Sequence, residues 1–400
     1  MNKWPAVKTE SVSWERTEED LFLIPKSRRR KITATYEAAI PATLQNQQLI
    51  LSPELAERLA DARARLARFD EKQATLPYNL PSLFLRSESA ASSQIENLTS
   101  SARNIALAEL SPSAPKNAQI IAGNIDAMRC ALGLTGPLSI PRIQDIHRQL
   151  LKHADEPFAG TLRSEQVWVG GTPYSPHGAL FVPPHADRVI DCLNDLCAFT
   201  QRDDLDPIAK AAITHAQFET VHPFIDGNGR TGRTLLHYLL REDEVLRRAT
   251  IPLSAGLLHD IDNYMEALRL YQQGMPEPII EQLIDAIDLA IVVSQRTSER
   301  ARALLEDWES AMHERVTAKI RRLPALLVEQ PVVDSAFVAQ RLGITRRAAM
   351  DLINRACEYG ILRPIGNAKR GEFYQAPAML DMLDEISSMA GIRRMLGIAR

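Results

Sequence analysis

Val221-His222-Pro223-Phe224-Ile225-Asp226-Gly227-Asn228-Gly229-Arg230-Thr231-Gly232-Arg233 is the stretch from which the rest of this chain is read. The apolar spacing before it predicts a helix over 206–220, and the spacing after it predicts another over about 229–240. Between them lies a glycine-rich turn, whose backbone N–H groups can point inward as an anion nest. The outgoing helix adds the positive end of its dipole. Arg230 and Arg233 are three apart and rise from one side of the first helical turn. Two guanidiniums over a helix N-terminus make a polyphosphate cradle. Asp226 supplies one hard oxygen ligand, which suits a Mg²⁺ ion held mainly by phosphate oxygens and water. His222 stands at the rim and has the side chain suited to general-base work near neutral pH. Gly227, Gly229 and Gly232 also satisfy G-x-G-x-x-G, but a helix and His222-Pro223 precede them instead of a strand. The dinucleotide reading is therefore rejected. There is no P-loop lysine either.

Working outward toward the N-terminus, residues 186–200, 141–153 and 116–134 read as helices. Between Arg163 and Pro184 the texture is that of strands. Gln166–Val169 and Ala179–Val182 are β-prone runs around a loop with Gly170, Gly171, Pro173, Pro176 and Gly178, a hairpin signal with a long tip. His177 in that loop reads as a surface histidine. A helix from about Ser82 to Ile95 follows a loop marked by Pro77 and Pro81, and Asn97 can end it in the left-handed conformation. Leu55, Leu59, Ala62, Leu66 and Phe69 predict a helix over 52–69. Residues 1–50 read as irregular or loosely extended, with a solvated basic run from Lys26 to Lys31.

Toward the C-terminus, a long charged helix is predicted over 280–320. Ser335–Leu342, Gly343, Thr345–Tyr359 and two short strands, 361–365 and 371–375, resemble a winged helix-turn-helix with a basic tip at Lys369-Arg370. Over 320–376 there are nine Lys or Arg against five Asp or Glu, a modest basic excess that leaves DNA contact and protein contact both open. The expected fold class is mainly α, with one small β-hairpin.

The whole chain has 400 residues, 45% of them apolar and 24% charged, and a formal net charge of −3. That is the composition of a globular protein with room for several domains, and it advertises no general affinity for nucleic acid or anionic membrane. Cys130, Cys192, Cys197 and Cys357 form no CxxC pair, so reduced thiols are expected rather than zinc. No apolar run approaches membrane-spanning length and the first residues carry no signal-peptide core, so a cytoplasmic location is expected.

His222, Phe224, Asp226, Gly227, Asn228, Gly229, Arg230 and Arg233 fill every fixed position of H-x-F-x-(D/E)-G-N-G-R-x-x-R. The segment thus resembles the signature of the Fic family, and the resemblance extends over roughly 140–275, including Gly160-Thr161-Leu162-Arg163. It implies a Fic-type helical core and protein adenylyltransferase activity. His222 would deprotonate a Tyr, Ser or Thr hydroxyl, which would attack the α-phosphate of ATP. Asp226 would hold Mg²⁺. Gly227, Asn228, Gly229, Arg230, Thr231 and Gly232 would bind the phosphates, and Arg233 would orient the γ-phosphate. Phe224 would anchor the loop in the core. The hairpin looks like the family's flap, with Val169, Gly170, Gly171 and Thr172 near the nucleotide and a target segment added as a strand. Tyr264 would line the adenine pocket, although an aromatic in an amphipathic helix also reads as core.

Ser92-Ser93-Gln94-Ile95-Glu96-Asn97 fills the family's inhibitory motif (S/T)-x-x-x-E-(G/N). Ser92 and Glu96 share one helix face. The resemblance implies that Glu96 pairs with Arg233 and occupies the γ-phosphate site. It also suggests a division into 1–115 (N-terminal region with the inhibitory helix), 116–275 (catalytic core), 276–320 (connecting helix) and 321–400 (winged helix). Alternatives are removal of AMP or phosphate transfer at the same site, or a nucleotide-sensing, DNA-binding regulator. A homodimer is conceivable.

Overall fold

Leu55, Leu59, Ala62, Leu66 and Phe69 form the buried stripe of helix α1 (Pro53–Gln73) in the computed structural model. The structure describes residues 4–14, 32–73, 80–154, 157–366 and 372–397. The basic run Lys26–Lys31, Pro77 and the wing tip Lys369-Arg370 lie outside the described residues. Helices follow in the order α2 (Leu80–Ile95), α3 (Ala102–Ala108), α4 (Lys116–Gly133), α5 (Ile140–Leu150), α6 (Val189–Thr200), α7 (Pro207–Val221), α8 (Asn228–Glu242), α9 (Leu253–His259), α10 (Ile261–Gln272) and α11 (Glu277–Ala311). The fold is mainly α, as expected.

Helix α7 is the central post. Asp206 caps its start by accepting from Ile208 N at 2.9 Å and Ala209 N at 3.4 Å, and Pro207 is preset for the first turn. Nearly every side chain from Ile208 to Val221 is buried, because neighbours pack on several sides: α8, α6, α11 and α10 all contact it. An all-round buried helix needs no amphipathic stripe.

Among the described part of the first fifty residues, two segments are regular rather than loosely extended. Strands β1 (Lys8–Ser13) and β2 (Thr35–Ile40) pair antiparallel, with Lys8 opposite Ile40 and Ser13 opposite Thr35. β1 alternates no apolar residues, so its pairing carried no periodic signal. The expected hairpin at 166–182 is also corrected. It forms only isolated bridges, Val169 with Phe181 and Thr172 with Ser175. Gly170, Gly171 and Gly178 have φ of 73°, 76° and 80°, which breaks the extended run, and Pro173 and Pro176 offer no N–H to a ladder. Instead the segment leans on β2. Ala39 N donates to Val182 O at 3.0 Å, and Trp14 meets Trp168 edge-on at 5.9 Å. His177 is not a free surface histidine, since its ring nitrogens lie 2.7 Å from Ser175 Oγ and 3.0 Å from Thr35 O.

The long helix ends at Ala311, short of the expected 320. Arg321 folds back and donates to the carbonyls of Glu309, Met312 and Glu314 at 2.6–3.2 Å, satisfying acceptors that a longer helix would have used. Beyond it lie α12 (Leu323–Glu329), β3 (Val332–Val333), α13 (Ser335–Leu342), α14 (Arg346–Glu358), β4 (Arg363–Pro364) and β5 (Tyr374–Gln375). The sheet order β3-β5-β4, all antiparallel, completes a winged helix-turn-helix. Two further helices, α15 (Pro377–Ile386) and α16 (Met389–Leu396), pack it back onto the core. No helix among the described residues is long and apolar enough to cross a membrane.

Candidate active site

The loop between α7 and α8 is held by more hydrogen bonds than its sequence advertises. His222 ends α7 in the left-handed conformation, φ 50° and ψ 61°, a strained choice for a residue with a side chain. Arg163 secures it. This buried guanidinium donates to His222 O at 2.8 Å, Pro184 O at 2.6 Å and Val221 O at 3.3 Å, while Arg163 N donates to Pro223 O at 3.0 Å. Burial lowers the Arg163 guanidinium to about 10. Asn228 staples the turn internally. Its Oδ1 accepts from Phe224 N at 2.9 Å and its Nδ2 donates to Phe224 O at 2.8 Å. The Asn228 side chain is therefore committed to the loop, and what it leaves for an anion is its backbone N–H. Phe224 is fully buried and stacks on His147 of α5 at 3.7 Å with rings 7° apart.

His147 is a site residue that the sequence did not disclose. Gly160 N donates to its Nδ1 at 2.9 Å, so Nε2 carries the proton and donates to Asp226 O at 2.9 Å. Burial pushes His147 down to about 4, consistent with a neutral ring. A lone histidine on an amphipathic helix gave no signal beyond core packing.

His222 is partly buried. Its Nδ1 lies 3.3 Å from Glu219 O. A carbonyl only accepts, so Nδ1 is protonated and Nε2 is the bare nitrogen. Burial lowers the imidazole to about 4, opposed mainly by that hydrogen bond to Glu219 O. It is neutral at pH 7 and able to accept a proton.

Helix α8 opens at Gly227, φ 76°, with no side chain capping its first N–H groups. Above them stand Arg230 and Arg233, each 2% exposed. Glu96, at the end of α2, bridges both: Oε2 accepts from Arg230 Nε at 2.7 Å and Oε1 from Arg233 Nη2 at 2.8 Å. Arg230 Nη2 also donates to Asp226 Oδ2 at 3.2 Å. Arg233 additionally donates to Ser92 Oγ at 2.9 Å and Ser92 O at 2.8 Å. The expected pair, Glu96 with Arg233, is thus one half of a three-residue bridge. An ideal Cβ on Gly229 would lie 2.6 Å from Glu96 Oε1, so glycine there gives the carboxylate room. Asn97 follows at φ 61° and ends the helix.

The Asp226 carboxylate is 61% exposed at the mouth of the loop. Among the described residues no group of three His, Cys, Asp or Glu side chains could hold a metal by itself. One open carboxylate beside a phosphate cradle nevertheless fits Mg²⁺, whose other ligands would be phosphate oxygens and water. Thr231 and Gly232 are buried in the first turns of α8. Tyr264 is 1% exposed and its hydroxyl lies 2.8 Å from His215 Nε2. It stands in the layer beneath Arg233, not on an open surface. Val169 to Gly171 are exposed and Thr172 is half-buried.

The matches to known families and structures agree with this geometry. Residues 137–240 match the model described as Fic/DOC family, and residues 56–133 match that described as Fic/DOC family N-terminal. Over these segments the chain carries a Fic/DOC domain and its N-terminal companion. The protein adenylyltransferase fic-1 of Caenorhabditis elegans is 43% identical over 104 residues, which cover 26% of this chain and 19% of that protein. The protein adenylyltransferase Fic of Nematostella vectensis is 32% identical over 179 residues, covering 42% and 38%. The chain thus spans well under half the length of these curated relatives. In fold, it is similar to a Fic family protein from Desulfovibrio desulfuricans G20, with a TM-score of 0.54 at 20% identity, over 82% of this chain and 97% of that one.

Proposed function

We propose that this chain is a protein adenylyltransferase that moves AMP from ATP to a Tyr, Ser or Thr hydroxyl of a protein, and that Glu96 holds it idle. One observation carries this reading: a neutral His222 with Nε2 bare beside an uncapped helix N-terminus and two buried guanidiniums. In the active form His222 Nε2 takes the proton of the target hydroxyl. The hydroxyl oxygen then forms a bond to the α-phosphorus, and the bond to the β-phosphate oxygen breaks, releasing pyrophosphate. The backbone N–H groups of Asn228, Gly229 and Arg230 face the α- and β-phosphates, and Arg230 offsets their charge. Arg233 takes the γ-phosphate, so the chemistry rests on positioning and charge stabilisation. Asp226 would hold Mg²⁺, which when bound neutralises phosphate charge. The target segment, from another protein or from this one, lies along Val169–Thr172. Tyr264 backs Arg233 on the adenine side. The winged helix and the 1–115, 116–275, 276–320 and 321–400 division remain part of this reading.

The relatives' names support the activity, and the Glu96 bridge supports the restraint. With Glu96 in place, Arg233 Nε and Nη2 are committed to Ser92 and Glu96, and the carboxylate already offsets the charge that a phosphate would meet. Glu96→Gly is therefore expected to raise radiolabelled AMP transfer, and His222→Ala in the Glu96→Gly background to cut it by about 10²-fold or more. Equal labelling by the wild type and Glu96→Gly would sink the restraint. Undiminished labelling without His222 would sink the base assignment.

A further inference from the structure

Removing Glu96 creates an electrostatic problem that the brake alone does not solve. Arg230 keeps Asp226 when Glu96 departs. Arg233 keeps neutral partners, the Ser92 hydroxyl and carbonyl and the nearby Tyr264 hydroxyl, and a buried guanidinium stripped of its carboxylate is strongly disfavoured. A second carboxyl lies at hand. Glu219 on α7 is mostly buried, and its Oε1 has no hydrogen-bond partner among the described residues. That oxygen rests against Gly232, the neighbour of Arg233, where an ideal Cβ would be only 2.6 Å away. His215 Nδ1, also buried and unpartnered, is 4.0 Å from it.

We propose that Glu219 is a positioning residue, a reserve counter-ion that takes over Arg233 when Glu96 leaves it. The inference rests on the reading of Glu96 as a brake. The charged and titratable groups around Glu219 are Arg233 from α8, Glu96 from α2, Tyr264 from α10 and His215 from its own helix. Burial pushes the Glu219 carboxyl up to about 7, Arg233 pulls it down, and Glu96 pushes it up again. His215 is held neutral, lowered to about 3 by burial and by Arg233. Two carboxylates compete for one guanidinium, so the loser keeps its proton. When Glu96 withdraws, Glu219 loses that proton to solvent and its carboxylate faces Arg233. Opening the brake then releases one proton and leaves Arg233 oriented for a phosphate. The same residue's carbonyl sets the His222 tautomer, so Glu219 touches the loop at both ends.

The test is the titration of Glu219 itself, followed by carbon-13 NMR of labelled glutamate carboxyls and assigned with Glu219→Gln. The carboxyl is expected to titrate near neutral pH in the wild type and at least one pH unit lower in Glu96→Gly. The same midpoint in both proteins overturns the proposal, as does a Glu219 ionised throughout. A melting cycle supplies a second readout. Glu219→Gln mimics the protonated carboxyl and should barely move Tm alone. In the Glu96→Gly background it should lower Tm by more than the sum of the single changes, and ATP should restore much of the extra loss. A double variant that fails to fold while both single variants fold counts as that excess, whereas additive shifts refute the counter-ion role. Neither readout uses AMP transfer. A shifted titration without increased labelling in Glu96→Gly would keep the counter-ion and remove the proposed activity.

Discussion

His147 does for the loop what no motif residue does: it fixes the carbonyl of Asp226 from below. Its ring stacks on Phe224 and its two nitrogens engage Gly160 N and Asp226 O. His147→Phe keeps the stack but leaves one buried donor and one acceptor unpaired. We expect a loss of about 2–4 kcal/mol in urea unfolding, with AMP transfer falling because the Asp226 end of the loop loosens. Unchanged stability would mean that water replaces both bonds. Neither His147 nor Glu219 was legible in the sequence, because a lone titratable residue on a helix looks the same whether it faces a loop or a core. His222, Asp226 and the two arginines were legible because their spacing concentrates one chemistry in twelve residues.

Helix α2 is built in two halves with different partners. Its first half is anchored by charge. Arg86 donates to Glu109 Oε2 at 2.8 Å, to Gln330 Oε1 at 2.5 Å and to Glu329 O, and Glu88 accepts from Ser254 N at 2.8 Å with His237 Nε2 3.1 Å away. Its second half carries Ser92, and Glu96 follows its last residue, both at the candidate active site. The buried residues between are largely small or polar: Ser87, Ser89, Ala90, Ala91, Ser92 and Ser93. Little apolar area holds the last turns down, so the clamp at Arg86 carries much of the docking. Arg86→Met is expected to cost about 3 kcal/mol or more and to speed amide hydrogen exchange across 80–95. Exchange as slow as in the wild type would show that the Arg86 clamp does not seat this helix. The helix was visible in the sequence, but its pairing was not: two of the partners of Arg86, Glu329 and Gln330, lie more than two hundred residues downstream.

At the scale of the whole molecule, buried titratable groups set the pH response. His147 and His222 are lowered to about 4 and His215 to about 3, against 6.5 when exposed. Unfolding therefore takes up protons as the pH falls. The stability these neutral rings contribute is complete above pH 6.5 and is lost as pH falls through 4. Glu219 acts oppositely. Raised from 4.5 to about 7, it contributes fully below 4.5 and loses that contribution as pH rises through 7. Three histidines outweigh one carboxyl, so Tm should decline from pH 6.5 to 4, more shallowly in His147→Phe. A flat profile over that range would contradict the burial of these rings.

The sequence by itself determined the glycine-rich loop over 222–233, the helix that ends at Glu96 and the helix-turn-helix near the C-terminus, since each is encoded by local spacing: twelve residues, six residues and one run of helix-turn-helix pattern. It also determined that helices dominate, through apolar positions recurring at three and four. Only the tertiary structure decided that Glu96 bridges two arginines, that Asn228 is spent on the loop and that the segment 166–182 forms bridges without a ladder. The same holds for the strand pair β1–β2, which leans on that segment. These are contacts between segments far apart in the chain, and their strength comes from burial and loss of water, which no local pattern records.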